Sequence, residues 1–92
     1  MKYKICFEKS AYKQLSKIDI TQQRIIVNWI MKNLENTNNP RAIGKALKGN
    51  LKTYWRYRVG NYRIIADIND MEIKIIIVNI GHRKDVYLLW KN

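Results

Sequence analysis

The spacing of apolar residues changes along the N-terminal part of the chain. Alternation through residues 2–8 predicts a short strand with one buried face. Helical spacing follows through residues 9–18 and again through residues 21–34, and the polar run at 36–40 ends the second helix. Asp19 lies between the two helical segments, where it can cap the second helix. The pattern therefore predicts a strand followed by two antiparallel helices that share an apolar face.

The apolar stripe of the second helix indicates which of its side chains face the core. Its members are Ile26, Trp29, Ile30 and Leu34. Ile25 and Val27 lie beside this stripe and are expected to widen it. Trp29 lies in the middle of the stripe, so we interpret it as a core residue.

Strand periodicity returns in the second half of the chain. Strands are predicted at about 52–59, 62–69 and 72–80. Gly60 and Asn61 tolerate the positive φ that a tight hairpin needs. The third strand is an almost continuous run of Ile and Val, which favours a central position covered on both faces.

The element order strand, helix, helix, strand, strand, strand predicts an α+β fold. We expect two helices on one face of a twisted, four-stranded, mainly antiparallel sheet, within a single domain of residues 1–92. Residues 41–50 are expected to form a helical turn or loop, and Gly81 to interrupt the last strand. The other face of the sheet is then partly open.

Alternation assigns the side chains of the strand at 52–59 to the two faces of the sheet. One set is expected to face the helices: Trp55, Tyr57 and Val59. The other set is expected to project from the open face: Lys52, Tyr54, Arg56 and Arg58. Residues 81–87 are expected to reach the same open face.

Positive charge is concentrated near this strand. The chain has 18 Lys and Arg against seven Asp and Glu, a net charge of +11. No acidic residue occurs between positions 36 and 66, whereas the same window holds Arg41, Lys45, Lys48, Lys52, Arg56, Arg58 and Arg63. Such a window favours a surface that binds nucleic acid or phosphate. A solvated surface, an acidic protein partner and an anionic membrane are the alternatives.

Several other classes of protein lack their signals in this sequence. No apolar run reaches the roughly 18–20 residues of a membrane span, and the N-terminus does not resemble a signal peptide. Cys6 is the single cysteine, which predicts no disulfide and a cytoplasmic protein. One histidine and scattered acids give no metal-ligand spacing, so we expect no metal and no cofactor.

The remaining chemistry consists of cations, tyrosines and one histidine. Cleavage of RNA by its own 2′-hydroxyl can use this set, because the protein then needs only to position the phosphate, stabilise negative charge and move protons. Arginine suits the first two tasks. His82 and Tyr87 are the candidates for proton transfer.

Two separated motifs resemble the RelE/ParE superfamily of type II toxins, and the RelE branch most. The first occupies residues 55–65 and the second residues 81–87. The similarity covers nearly the whole chain, because residues 44–49 and the pattern of Ala11, Leu15, Lys17 and Ile18 also match. The resemblance implies a fold like that of small microbial ribonucleases.

RelE toxins cleave messenger RNA in the A site of the small ribosomal subunit. The resemblance therefore implies three partners: a cognate antitoxin, the ribosome and messenger RNA. The antitoxin–toxin complex is expected to bind operator DNA through the antitoxin. Two alternatives stay open on the same fold. ParE toxins inhibit DNA gyrase, and a basic domain can bind RNA or ribosomes without catalysis.

The resemblance also implies roles for individual residues. By position, the catalytic set is Arg56, Arg63, His82, Arg83 and Tyr87. Arg56 replaces a lysine of the family and Tyr54 replaces another, so His82 or Tyr87 is expected to move protons. Further contacts to RNA or the ribosome are expected from Lys45, Lys48, Lys52, Tyr54, Arg58 and Lys84. For Arg58, an ion pair with Asp67 or Glu72 is the alternative.

Overall fold

The computed structural model describes residues 1–47 and 54–82 of the chain. These residues form two helices and five strands. In chain order the elements are β1 Lys4–Phe7, α1 Lys9–Ser16, α2 Ile20–Asn33, β2 Lys45–Ala46, β3 Tyr54–Val59, β4 Tyr62–Asn69 and β5 Lys74–His82. None of the helices in these ranges is long and apolar enough to cross a membrane.

The helical hairpin forms as the sequence predicts, with one difference at its surface. The Asp19 side chain accepts a hydrogen bond from the backbone N–H of Gln22 at 3.3 Å, which confirms the predicted cap of α2. Ile26 is buried, but Ile25 and Val27 are 48% and 36% exposed. The expectation that they widen the buried stripe is wrong, because each residue turns about 100° around the helix axis and the sheet covers a narrower stripe.

The sheet has the order β1-β5-β4-β3-β2. β1 pairs with β5 in parallel, whereas the other three pairings are antiparallel. This confirms the α+β class and the central position of the Ile- and Val-rich strand. The strand count is five instead of four, because Lys45–Ala46 pairs with β3 in the segment expected to be a turn or loop.

The last two strands do not pair in continuous register. Ile65 is opposite Asn79, but the next residue, Ala66, is opposite Ile77, so Val78 is an extra residue in β5. Such a bulge moves every later residue of the strand to the other face of the sheet. β5 also continues through Gly81, which was expected to interrupt it.

The hydrophobic core lies between the helices and one face of the sheet. Its fully buried members include Ala11, Ile26, Ile30, Leu34, Tyr57, Ile64, Ala66, Ile75 and Ile77. Trp29 packs against this core and its ring lies 5.7 Å from the ring of Tyr57, which confirms its predicted place. A smaller cluster on the other face contains Ile65 and Val78.

Candidate functional site

Four cationic side chains share the sheet surface opposite the helices, which we call the cationic face: Lys45, Arg56, Arg58 and Arg63. The register brings them together, because Arg58 is directly opposite Arg63 and Lys45 is directly opposite Arg56. Directly paired residues of antiparallel strands project to the same side. The structure thus gathers on one face four cations that the sequence analysis selected.

Buried neighbours on the same strand hold Arg56 and Arg58 in place. Tyr57 lies between them, is 0% exposed, and donates a hydrogen bond from its hydroxyl to the backbone carbonyl of Pro40. Burial raises the pKa of Tyr57 far above its usual value, so the hydroxyl stays protonated and remains a donor. Val59 is also buried on the helix side. This alternation confirms the predicted faces of the strand.

A close backbone contact fixes the other edge of β3. Gly44 has a φ of +84°, and a Cβ atom built there would lie 2.4 Å from the carbonyl oxygen of Arg56. Trp55 donates from its indole N–H to the carbonyl of Ile43 at 2.7 Å. Only glycine fits this backbone conformation and this approach. The contact positions the strand segment that carries Arg56.

A two-residue turn connects β3 to β4 and sets the register of the arginines. Gly60 has a φ of +59°, whereas the φ of Asn61 is not positive. Glycine at the first of two central positions is typical of a tight hairpin turn whose twist matches that of its strands. The turn places Val59 opposite Tyr62, and from there Arg58 opposite Arg63.

Few acidic groups balance this charge. Asp67 is on the same face, opposite Tyr54, but the described residues record no ion pair to Arg56 or Arg58. Glu72 instead pairs with Lys74 at 3.1 Å, so the alternative of an Arg58 ion pair is not observed in this part of the chain. Like charges directly opposite each other destabilise a sheet, and an anion bound between them would offset that repulsion.

His82 lies on the opposite side of the sheet from these arginines. It is directly opposite Tyr62, and the two rings are 5.7 Å apart with an angle of 71° between their planes. Tyr62 packs against the core on the helix side. Gly81 is opposite Arg63 and does belong to the cationic face. The structure therefore does not bring the His82 imidazole together with the arginines, because the bulge at Val78 reverses the facing of the strand end.

Tyr54 lies on the cationic face, as expected from its position in β3. It packs against the smaller apolar cluster of Ile65 and Val78. Its side chain is half-buried, so part of the ring is accessible beside Arg56. An aromatic ring beside guanidinium groups is the combination that binds bases and phosphates of single-stranded nucleic acid.

Five of the predicted site residues lie outside the described ranges: Lys48, Lys52, Arg83, Lys84 and Tyr87. One described residue of the cationic face was missed by the sequence analysis. Asn79 is opposite Ile65 and is 6% exposed. The only signal in the sequence is an amide within a run of Ile and Val residues, which does not reveal which face it occupies.

The donor set of the described residues fits anion binding and not metal binding. No group of three or more His, Cys, Asp or Glu side chains comes together within residues 1–47 and 54–82. Guanidinium groups bind phosphate oxygens through two parallel hydrogen bonds. The cationic face can therefore hold a phosphodiester without a metal ion.

Related proteins share both the sequence pattern and the fold. The model of the ParE toxin family of type II toxin–antitoxin systems (parDE) matches residues 5–87. The chain is 28% identical over 87 residues to Toxin RelG of Mycobacterium tuberculosis, covering 95% of this chain and 98% of that protein.

Solved toxin–antitoxin complexes have the same architecture. The RelBE2 complex of Mycobacterium tuberculosis matches with a TM-score of 0.80 and 25% identity, covering 90% of this chain and 93% of that chain. The RelB–RelE complex from Methanococcus jannaschii matches with a TM-score of 0.71 and 29% identity, covering 92% and 98%. The chain therefore belongs to the ParE toxin family and is a type II toxin of the RelE/ParE superfamily.

Proposed function

We propose that this toxin is a ribosome-dependent endoribonuclease that cleaves messenger RNA in the A site of the small subunit and so stops translation. The observation that carries the proposal is the direct pairing of Arg58 with Arg63, beside Arg56, on one face of the sheet. A face of this kind binds the phosphates of RNA and is stabilised when they bind.

In the proposed reaction the 2′-hydroxyl of the messenger attacks the adjacent phosphorus atom, and the bond to the 5′ oxygen of the next nucleotide breaks. Arg56 and Arg63 hold the phosphate and stabilise the negative charge that develops on its free oxygens. Arg58 and Lys45 lie beside them and contact neighbouring phosphates or ribosomal RNA. Tyr54 stacks on a base.

Proton transfer needs a group other than these cations, because arginine stays protonated in proteins. His82 points to the helix side of the sheet, where it contacts Tyr62. We therefore assign proton transfer to Tyr87 rather than His82, and the second transition-state cation to Arg83. Both assignments follow from the family resemblance.

We further propose that a cognate antitoxin neutralises this toxin. The Mycobacterium tuberculosis and Methanococcus jannaschii relatives were solved as antitoxin–toxin complexes. A net charge of +11 favours an acidic partner. The antitoxin of such a complex would also bind the operator DNA.

Inhibition of DNA gyrase is the second candidate function. The matching family model is that of the ParE toxins, whereas the relatives named above are RelE-type toxins. The grouping of Arg56, Arg58 and Arg63 favours RNA cleavage, because the inhibition of a protein does not require a cluster of phosphate-binding groups.

Two assays on the purified toxin separate the candidates. Messenger RNA bound to translating ribosomes is incubated with the toxin and its new 5′ ends are mapped, while gyrase supercoiling is measured in parallel. We expect new ends within the A-site codon and unchanged supercoiling. Intact messenger together with inhibited gyrase would replace the proposal with the ParE activity, and salt-sensitive ribosome binding without cleavage would leave a binding domain.

Single substitutions then test the site. Arg63→Ala and Arg83→Ala should each lower cleavage roughly 100-fold or more, by loss of charge stabilisation at the phosphate. Arg24→Ala is the matched control, because Arg24 is exposed on α2, on the other side of the sheet. Full toxicity of the Arg83→Ala variant, with its fold retained, would remove Arg83 from the mechanism.

A further inference from the structure

Asn79 carries a buried polar group whose hydrogen-bonding capacity the described structure does not use. Its side chain is 6% exposed, and its Oδ1 atom has no hydrogen-bond partner in the structure. An acceptor buried without a donor lowers the stability of the folded protein, so each such group in a native protein calls for a physical explanation. No other polar or charged residue of the described ranges is buried to this degree.

The bulge in β5 is what turns Asn79 toward the cationic face. Without the extra residue Val78, strict alternation from Ile77 would direct Asn79 into the core beneath the helices. With it, Asn79 is opposite Ile65, which belongs to the cluster on the other face. Bulges are common near active sites because they re-aim single side chains.

On that face Asn79 is a diagonal neighbour of Arg63. Arg63 is opposite Gly81, and Ile65 is opposite Asn79. Asn79 therefore lies two residues along β5 from the position directly opposite Arg63. Long side chains reach each other across such a diagonal. Gly81 has no side chain to separate them. The Nε and Nη1 atoms of Arg63 are themselves buried at this face.

We propose that Asn79 is a positioning residue for Arg63. When RNA binds, the side-chain carbonyl of Asn79 accepts a hydrogen bond from the Arg63 guanidinium and fixes its orientation, so that the opposite edge of the guanidinium binds the scissile phosphate. The inference rests on the proposed ribonuclease function. A protein donor is the fitting partner, because Oδ1 is shielded from solvent and an RNA group would have to displace the side chains around it.

The test compares two substitutions of similar size. Asn79→Leu removes the acceptor, whereas Asn79→Asp keeps it. We expect Asn79→Leu to melt at the same temperature as the wild type or higher, because a buried, unused polar group is lost. Its cleavage of ribosome-bound messenger should fall roughly 10- to 100-fold, because Arg63 is no longer oriented. Asn79→Asp should retain more of the cleavage than Asn79→Leu.

A double-mutant cycle shows whether Asn79 acts through Arg63. In an Arg63→Ala background, Asn79→Leu should cause no further loss of cleavage. Losses that multiply would overturn the proposal, as would wild-type cleavage by Asn79→Leu or a lowered melting temperature that accounts for the loss.

A spectroscopic measurement is independent of catalysis. The Arg63 Nε–H resonance is followed in 15N-labelled toxin with a 2′-O-methylated oligoribonucleotide, which cannot be cleaved. We expect this resonance to shift on binding in the wild type and in Asn79→Asp, but not in Asn79→Leu. A resonance that responds identically in all three proteins would refute the positioning role. Absence of cleavage by the wild type would refute the ribonuclease function alone.

Discussion

Arg58 and Arg63 lie directly opposite each other across the β3–β4 hairpin, so two positive charges meet where a sheet normally pairs opposite charges. Arg58→Glu would create a cross-strand ion pair with Arg63. We expect the free energy of unfolding to rise by about 0.5 kcal/mol. We also expect weaker binding to ribosomes, with a slope of log affinity against log salt concentration that is smaller by about two. Urea denaturation and binding titrations at several salt concentrations measure the two effects.

The matched control for this prediction is Arg24→Glu. It makes the same charge change on exposed α2, away from the cationic face. Equal losses of ribosome binding in both variants would mean that net charge matters and the cationic face does not.

The contact of His82 with Tyr62 predicts a structural rather than a chemical role for the histidine. His82→Phe keeps an aromatic ring in this edge-to-face contact and should leave cleavage of messenger RNA within about threefold of the wild-type rate, since catalysis by a general acid or base is worth far more. A rate that falls 100-fold in His82→Phe, with an unchanged melting temperature, would return His82 to the proton-transfer step.

The close packing around Gly44 predicts that even an alanine at this position strongly destabilises the protein. In Gly44→Ala the added methyl group would overlap the Arg56 carbonyl oxygen, and the positive φ of this residue disfavours any side chain. We expect a loss of about 2 kcal/mol in stability and a shift in the fluorescence of Trp55, which is hydrogen-bonded to Ile43. Gly60→Ala is the control for positive φ alone, because open space surrounds a Cβ atom at Gly60.

The hydrogen bonds of the Asp70 carboxylate predict that the protein loses stability in acid. Its carboxylate accepts two hydrogen bonds from Arg41, at 3.1 and 3.0 Å, and one from the Tyr3 hydroxyl at 2.6 Å. The hydrogen bonds from Arg41, followed by the one from Tyr3, lower the pKa of Asp70 below its usual value. The unfolded chain therefore takes up a proton before the folded protein does as the pH falls.

The cluster of Asp70, Arg41 and Tyr3 contributes its full stabilisation at pH values above the usual pKa of an aspartate. This stabilisation disappears as the pH falls through the lowered pKa of Asp70 in the folded protein. Thermal unfolding from pH 7 to pH 2 should show a shallower acid limb in Asp70→Asn than in the wild type. Asp67→Asn removes the same charge from β4, outside the cluster, and controls for net charge. Parallel acid limbs in the wild type and Asp70→Asn would contradict the prediction.

The backbone conformation of Ile73 predicts that a substitution at this position stabilises the protein. It has a φ of +56°, a conformation that is strained for a β-branched residue, and it lies in the turn before β5. Ile73→Gly should raise the free energy of unfolding by about 1 kcal/mol, measured by urea denaturation. Met71→Gly in the same turn has no strain to relieve and should be neutral or destabilising, so equal gains in both variants would exclude this explanation.

The helices and the faces of β3 could be predicted because their periods are visible in the sequence. Ile26 and Ile30 repeat at helical spacing, and Tyr57 and Val59 alternate with the arginines. Each pattern indicates which side of an element is buried, because the apolar side chains of that side pack in the core. The same alternation predicted that Arg56 and Arg58 share the open face.

The pairing of short or uniformly apolar segments could not be predicted. Two residues, Lys45 and Ala46, give no period from which β2 could be identified. The bulge at Val78 occurs in a run of Ile and Val residues, where every register buries an apolar side chain and the sequence does not distinguish them. For this reason the sequence did not predict which face of the sheet Asn79 and His82 occupy. The start of β5 was expected two residues before Lys74.

The parallel pairing of β1 with β5 has a consequence for synthesis of the toxin. Lys4 is opposite Lys74, so the first strand can pair only after the chain has been translated for 70 further positions. Contacts between such distant positions form late, because a long loop must close before they contribute. The sheet is therefore complete only once β5 has emerged from the ribosome that synthesises the chain.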